Sequence, residues 1–243
     1  MNHQSDENKI IVIAAVLILL ALTAATFQRN AIWRNPLTLW GDSVRKSPGK
    51  ARIHYNLGTR LALEGRIDDA IAHFQTAIRL RPTSKEYNNL GKAYQDKGLI
   101  DQAIEQFQLA ILLDPANAEA YYNLGRAHIV SNAGNDEAIA MLTKATMLKS
   151  DYTDAYINLA AAYIKAKRFN DAAQLLEPLI KKNEVRPDAH FNLGVAYYCL
   201  GNFGAAGREL NILKSLDSQY AVQLEQFISR PYANGRQNQP CND

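Results

Sequence analysis

The chain has 243 residues, 47% of them apolar, 21% charged and 9% aromatic, enough for one sizeable core or a string of small ones. A formal net charge of +3 is too small to argue for a nucleic-acid binder, and no Lys/Arg run of the kind expected for a nucleic-acid patch appears. Cys199 and Cys241 stand 42 residues apart, which fits neither a disulfide framework nor metal-ligand spacing, so cysteine usage chooses no compartment.

Residues 1–9 form a short polar tail. From 10 to 27, IIVIAAVLILLALTAATF carries no charge; at about 1.5 Å per residue it makes a helix of about 27 Å, near the thickness of a bilayer's hydrocarbon layer. A single retained transmembrane helix is expected. A cleaved signal peptide is the alternative, but the run is longer than a usual h-region and no A-x-A site follows it. Lys9 faces Asp6 and Glu7 on one side of the span, while Arg29, Arg34, Arg45 and Lys46 follow it. The positive-inside rule therefore favours a cytoplasmic C-terminal domain.

Residues 28–50, QRNAIWRNPLTLWGDSVRKSPGK, form a linker or half-repeat. Its two tryptophans divide the work: Trp33 is expected near the lipid headgroups and Trp40 on a helix capping the first full repeat.

The stretch HYNLG at 54–58 then returns as YNNLG at 87–91, YYNLG at 121–125, YINLA at 156–160 and HFNLG at 190–194. Leu57, Leu90, Leu124, Leu159 and Leu193 are separated by 33, 34, 35 and 34 residues. A period of this length carried by two amphipathic segments marks a helical solenoid. Thirteen residues after the Leu comes Ala70, Ala103, Ala172 or Ala206, and seventeen after comes Phe74, Phe107, Leu176 or Leu210; one extra residue in SNAGND moves the third unit's pair to Ala138 and Leu142. Asp68, Asp101, Asp136 and Asn170 suit N-caps of the second helices, and Pro82 and Pro115 close the first two units. The five units run 51–83, 84–117, 118–152, 153–186 and 187–220. The stretch 217–230 makes an apolar face for a capping helix, and 231–243 is expected to be disordered.

These slots resemble the tetratricopeptide repeat over about 51–220. The resemblance implies an all-α fold of paired antiparallel helices in a right-handed superhelical solenoid, the first helix of each pair lining the concave surface. The fit loosens late in the chain, where Ala160 replaces Gly, Leu179 and Leu213 replace a small residue, and Gly204 and Gly207 weaken a helix; altered packing is expected there. The segment WRNPLTLW…SPGKARIHYNLG is similar to the junction between the last membrane helix and the repeats in TMTC-type membrane proteins, which look like sugar transferases. That likeness implies repeats on the lumenal or periplasmic side and a weak lean to the periplasmic face of a bacterial-type inner membrane.

The five motifs share an Asn before the Leu: Asn56, Asn89, Asn123, Asn158 and Asn192. At about 100° per residue it lies roughly 150° from the centre of the core face, so it points away from the core. It shares its sector with Arg52, Thr59 and Leu63, then Lys85, Lys92 and Asp96, then Glu119, Arg126 and Val130, then Asp154, Ala161 and Lys165, and finally Asp188, Val195 and Cys199. Asn is a poor helix former, at up to about 0.7 kcal/mol against Ala, so five of them ask for a reason. A primary amide pairs with a peptide group as donor and acceptor together, and a row of them suits the backbone of an extended polypeptide. The repeat domain of O-GlcNAc transferase carries a similar ladder, which carried over here comprises the five Asn residues. The alternative is that the amides bond the neighbouring helix and stiffen the stack. Tyr55, Tyr122 and Phe191 at the groove edge, with Lys92 and Arg126, complete the candidate peptide-binding set. Residues five before the Leu change from basic to acidic along the chain, which predicts a groove of graded charge.

Tyr55 stands where a carboxylate clamp needs Lys, so capture of an acidic C-terminus is not supported. His54, His128 and His190 occupy ring slots and read as core substitutes. No metal spacing, phosphate loop or nucleophile motif appears. The sequence therefore predicts a non-enzymatic, membrane-anchored adaptor without cofactor or metal, binding a protein or peptide partner and open to homo- or hetero-oligomerisation. The competing readings are a structural subunit packing through its convex face or solenoid ends, and a detached repeat partner of a membrane glycosyltransferase.

Overall fold

The computed structural model describes residues 2–131, 134–181, 186–216, 219–229 and 241. Within them thirteen α-helices follow one another and no strand occurs. Residues 132–133 of the SNAGND turn, and the tail assigned to 231–243 apart from Cys241, lie outside the described residues. The chain divides into two compact units, Met1–Pro82 and Thr83–Asp243.

The first unit holds α1 (Asn2–Arg34), α2 (Pro36–Lys46), α3 (Ala51–Leu63) and α4 (Ile67–Leu80). One continuous helix thus takes in the N-terminal tail, the apolar run and the start of the linker. Its stretch Val12–Ala31 is long and apolar enough to cross a membrane, with a mean hydropathy of 1.9 and none of it buried. Asn35 leaves the helix in an extended conformation and caps α2, accepting a hydrogen bond from Leu37 N at 2.8 Å, with Pro36 in the first helical position where its missing N–H is harmless.

Helices α3 and α4 pair through a close approach. A Cβ built on Gly58 falls 2.9 Å from Cε1 of Phe74, so only Gly lets that ring, itself 2% exposed, lie flat on α3. A polar pair supplements this packing. His54 Nε2 sits 3.0 Å from the Pro48 carbonyl, which can only accept, and His54 Nδ1 sits 3.0 Å from His73 Nδ1. His54 therefore carries its proton on Nε2 and accepts from His73, fastening the turn after α2 to α3 and α3 to α4. His73 is held below its ordinary 6.5 first by burial, then by His54 and Arg66, against the opposing pull of Asp69. The native unit consequently binds fewer protons than the unfolded chain just below pH 6.5. Its stability should be complete above that pH and fall as the pH drops towards the lowered value. Melting temperatures of the full chain across this range should decline on the acid side, and His73→Gln, which keeps a donor but does not titrate, should flatten the decline; an equal slope in both proteins would refute the assignment.

The second unit holds α5 (Ser84–Asp96), α6 (Ile100–Leu113), α7 (Ala118–Ser131), α8 (Asn135–Leu148), α9 (Thr153–Lys165), α10 (Phe169–Lys181), α11 (Pro187–Cys199), α12 (Phe203–Ser215) and α13 (Gln219–Ile228). Consecutive helices pair and each pair packs on the next. Between α5 and α6 the chain reverses through a left-handed residue: Gly98 at φ 82° lets Leu99 N–H reach back to the Tyr94 carbonyl at 2.9 Å. Lys167 takes this role between α9 and α10 at φ 58°. Asp68, Asp101, Asp136 and Asn170 are not N-caps. Each is the second residue of its helix, so the chain is already helical before it; the three carboxylates act on the helix dipole instead.

The C-terminal pair packs differently. A Cβ on Gly194 would meet Leu224 of α13 at 2.6 Å, whereas Gly91 and Gly125 face Phe107 and Leu142 of their own partner helices. Leu213 is fully buried in a cluster with Val195, Cys199, Ala221 and Leu224. Val195 and Cys199 are therefore not outward-facing residues of a groove, because α13 covers them. The two cysteines are not independent either: Cys199 and Cys241 form a disulfide, with 5.3 Å between their Cα atoms. Their separation of 42 residues hides the pairing in the sequence.

Candidate functional site

In the second unit the face built by α5, α7 and α9 presents the residues two and six positions after each motif Leu. Lys92, Arg126, Val130 and Lys165 are exposed and Ala161 half-buried. Their exposure follows from helix periodicity: the same helices bury Leu90, Leu124 and Leu159 on the opposite side.

The amides stand at the floor of this face, and the fold uses them unequally. Asn123 is 4% exposed, and its Nδ2 donates 2.9 Å to Oδ1 of Asn88, itself 3% exposed. Asn158 is half-buried, donating to the Asp154 carbonyl at 2.8 Å and to the Tyr122 hydroxyl at 3.4 Å. Asn192 donates to the Ile157 carbonyl at 3.3 Å. One rule connects the three: each amide reaches the residue two before the Leu in the preceding pair. Asn89 is half-buried on α5. In the first unit Asn56 and Tyr55 are half-buried on α3, the Tyr55 ring 6.0 Å from that of Phe74.

Around Asn158 the side chains form a connected cluster. Tyr122 and Tyr152 lie with ring centroids 4.9 Å apart, and the Arg126 guanidinium sits 5.6 Å over the Tyr122 ring. Burial pushes the Tyr122 hydroxyl up, with Arg126 opposing, and pushes Tyr152 up further. Both therefore remain neutral hydrogen-bonding groups. Arg186, just before α11, bonds Asp154 at 2.9 Å and Asp188 at 2.8 Å, and Lys92 pairs with Glu119 at 3.4 Å. The graded charge expected from the sequence is thus offset on this unit, because its three acids each have a cationic partner. Arg186, which the repeat pattern passes over because it lies between helices, is the residue responsible at the distal end. Phe191 is half-buried against Tyr220 at 5.6 Å between centroids, as part of the α13 contact.

Two of the three ring-slot histidines, His54 and His190, are inside. His190 is 5% exposed and bonds Glu209 at 2.7 Å. His128 is half-buried on α7. Nearby, Tyr197 donates 2.9 Å to Glu177, and burial with that carboxylate raises it to about 12. Among the described residues, no three His, Cys, Asp or Glu side chains come together as a metal site.

Family models for the TPR repeat match residues 58–98 and 91–129, and models for the tetratricopeptide repeat match 134–190 and 187–211. Together they cover more than half of the chain. The human protein O-mannosyl-transferase TMTC1 is 35% identical over 72 residues, 30% of this chain and 8% of that protein. Drosophila melanogaster Tmtc2, of the same description, is 34% identical over 82 residues, again 8% of its length. The chain therefore spans less than a tenth of these relatives. Among solved structures, MamA is 28% identical with a TM-score of 0.57, covering 70% of this chain and 95% of that one. YrrB, described as a TPR protein with an unusual peptide-binding site, gives 19% identity and a TM-score of 0.64 over 77% and 97% of the two chains. Pseudomonas aeruginosa PilF gives 15% and 0.68 over 85% and 94%.

Proposed function

Because the chain belongs to the tetratricopeptide repeat family, a fold that builds a binding scaffold from stacked helix pairs, we propose that it is a non-enzymatic, membrane-anchored adaptor holding an extended segment of a partner protein against α5, α7 and α9. The observation that carries this reading is the cluster of exposed Lys92, Arg126 and Lys165 beside half-buried Asn158 and the Tyr122–Tyr152 ring pair. Stacked rings give a rigid apolar contact, cations steer the approach, and Asn158 has an amide oxygen to offer once its two N–H bonds are made. Asn123 and Asn192 serve this face indirectly, by fixing the spacing of its helices. YrrB, of the same fold, has a peptide-binding site. The anchor is α1, for which the exposed Val12–Ala31 stretch speaks.

A second reading has its own observation. Leu112 of α6 and Met147 of α8 are 75% and 73% exposed near the ends of successive second helices, an apolar pair suited to packing inside a membrane assembly. The likeness to O-mannosyl-transferases makes a membrane glycosyltransferase a reasonable class of partner for either surface.

The disulfide supports placing the repeats on the oxidising, periplasmic side of a bacterial-type inner membrane, since such bonds persist there and are rare in the cytosol. This outweighs the charge count around α1, which is a bias on insertion and no barrier.

The test is capture of partners from gently solubilised membranes by the full chain, followed by mass spectrometry. Arg126→Glu with Asn158→Ala should reduce capture by about tenfold or more while the helical circular dichroism stays unchanged. Capture that survives this pair but is lost with Leu112→Glu and Met147→Glu would replace the groove by the outer face.

A further inference from the structure

The segment from Gln28 to Ile53 carries Arg29, Arg34, Arg45, Lys46, Lys50 and Arg52 against Asp42 alone. That surplus of five exceeds the +3 of the whole chain, so the other residues are acidic on balance. All six cations are exposed. Arg45 and Lys46 keep side-chain exposures of 76% and 71% even while they share Asp42, at 3.2 and 2.6 Å. Lys46 and Arg45 hold the Asp42 carboxyl below its ordinary range, so it offsets one charge and no more.

The placement of these charges is specific. Arg34 ends α1 three residues beyond Ala31, which at about 1.5 Å per residue is within about 5 Å of the end of the apolar stretch. Arg29 lies 5.4 Å over the ring of Trp33, which is 60% exposed, the amphipathic pairing that suits a headgroup layer. At Asn35 the chain leaves the helix, and α2 then continues with no residue fully buried. From these observations we infer that the end of α1 and the whole of α2 form a collar for anionic phospholipid headgroups, α2 lying along the bilayer surface with its cations on the phosphates. The inference rests on α1 being a membrane anchor. Each cation near an anionic surface contributes favourably, and the attraction fades within a Debye length of roughly 8–10 Å, so α2 must lie along the surface for Arg45 and Lys46 to take part.

The chain offers a direct readout, because its two tryptophans, Trp33 and Trp40, both belong to this segment. The full chain is reconstituted in nanodiscs of phosphatidylcholine alone or with phosphatidylglycerol, and acrylamide quenching of tryptophan is measured. Phosphatidylglycerol should lower quenching at least about twofold, and high salt should restore it. Replacing Arg34, Arg45, Lys46, Lys50 and Arg52 by Gln should abolish the lipid dependence while circular dichroism stays unchanged. Equal quenching of the wild-type chain in both lipids would overturn the collar and leave the anchor standing. Failure of the chain to co-elute with either disc would overturn the anchor and the collar with it.

Discussion

Replacing Phe107 by alanine is expected to destabilise the second unit by about 3–5 kcal/mol, the range for truncating a fully buried aromatic ring. Phe107 is 0% exposed and packs in one cluster with Ala103, Leu124 and Ala127, flanked by Tyr94, Ile100 and Met141. Its ring lies so near the α5 backbone that a Cβ on Gly91 would stand 2.6 Å from Cε1. The ring therefore joins three helices, α5 and α6 of one pair and α7 of the next. In a solenoid each pair is held by its neighbours alone, so this loss removes both an internal and an interface contribution. Ala103, Ala127 and Gly91 have nothing to extend into the space, so its closure would fall to Leu124, Tyr94, Ile100 and Met141, whose own packing resists the shift. Urea unfolding of the full chain should show the loss, with Leu112→Ala, at an exposed position, changing stability by less than about 0.5 kcal/mol. A Phe107→Ala loss below about 1 kcal/mol would mean that the pairs are not coupled through this ring.

The residues that make this packing were legible in the sequence because each obeys a local rule. The Leu, the following small residue and the Ala and Phe of the partner helix recur at fixed spacing, and spacing alone places them on facing sides of two short helices. Gly91 and Gly125 are small because a ring or a Leu lies against the backbone, and Leu-Gly reads that contact directly. What stayed hidden depends on the distance between helices, which periodicity does not encode. The angle that turns Asn123 from the core is the same angle that aims it at the preceding pair, and only the tightness of stacking decides that it meets Asn88 at 2.9 Å. Val195 and Cys199 share the outward sector by angle, yet α13, outside the repeat pattern, lies over them. Arg186 lies between helices, where no period applies, and it still ties Asp154 to Asp188. The N-cap positions were misplaced by two residues: at α6 the left-handed reversal at Gly98 puts Leu99 at the N-cap, so the helix has begun before Asp101.

The second large effect is expected at the disulfide. Cys199 and Cys241 close a loop across a sequence separation of 42, and the chain-entropy relation gives about 4 kcal/mol for a loop of that size, with measured values running lower, to about 2. Cys241→Ser is the informative variant, because Cys199 lies 7% exposed among Val195, Leu213, Ala221 and Leu224. A serine at 199 would bury a hydroxyl there, whereas a free thiol behaves as a small apolar group. The loss in Cys241→Ser therefore reads the cross-link itself: α13 keeps Leu224 against Gly194, but the unfolded chain regains the freedom the bond removed. Unfolding of the full chain should shift by about 2–4 kcal/mol, and reduction of the wild type should reproduce the shift without adding to it in the variant. The same bond reports the side of the membrane. In intact cells of a bacterial host, thiol alkylation before reduction should leave the wild-type chain unmodified and label Cys241→Ser at Cys199 after denaturation. Full alkylation of both cysteines in wild-type cells would place the repeats in a reducing compartment, and the charge count around α1 would then decide the topology.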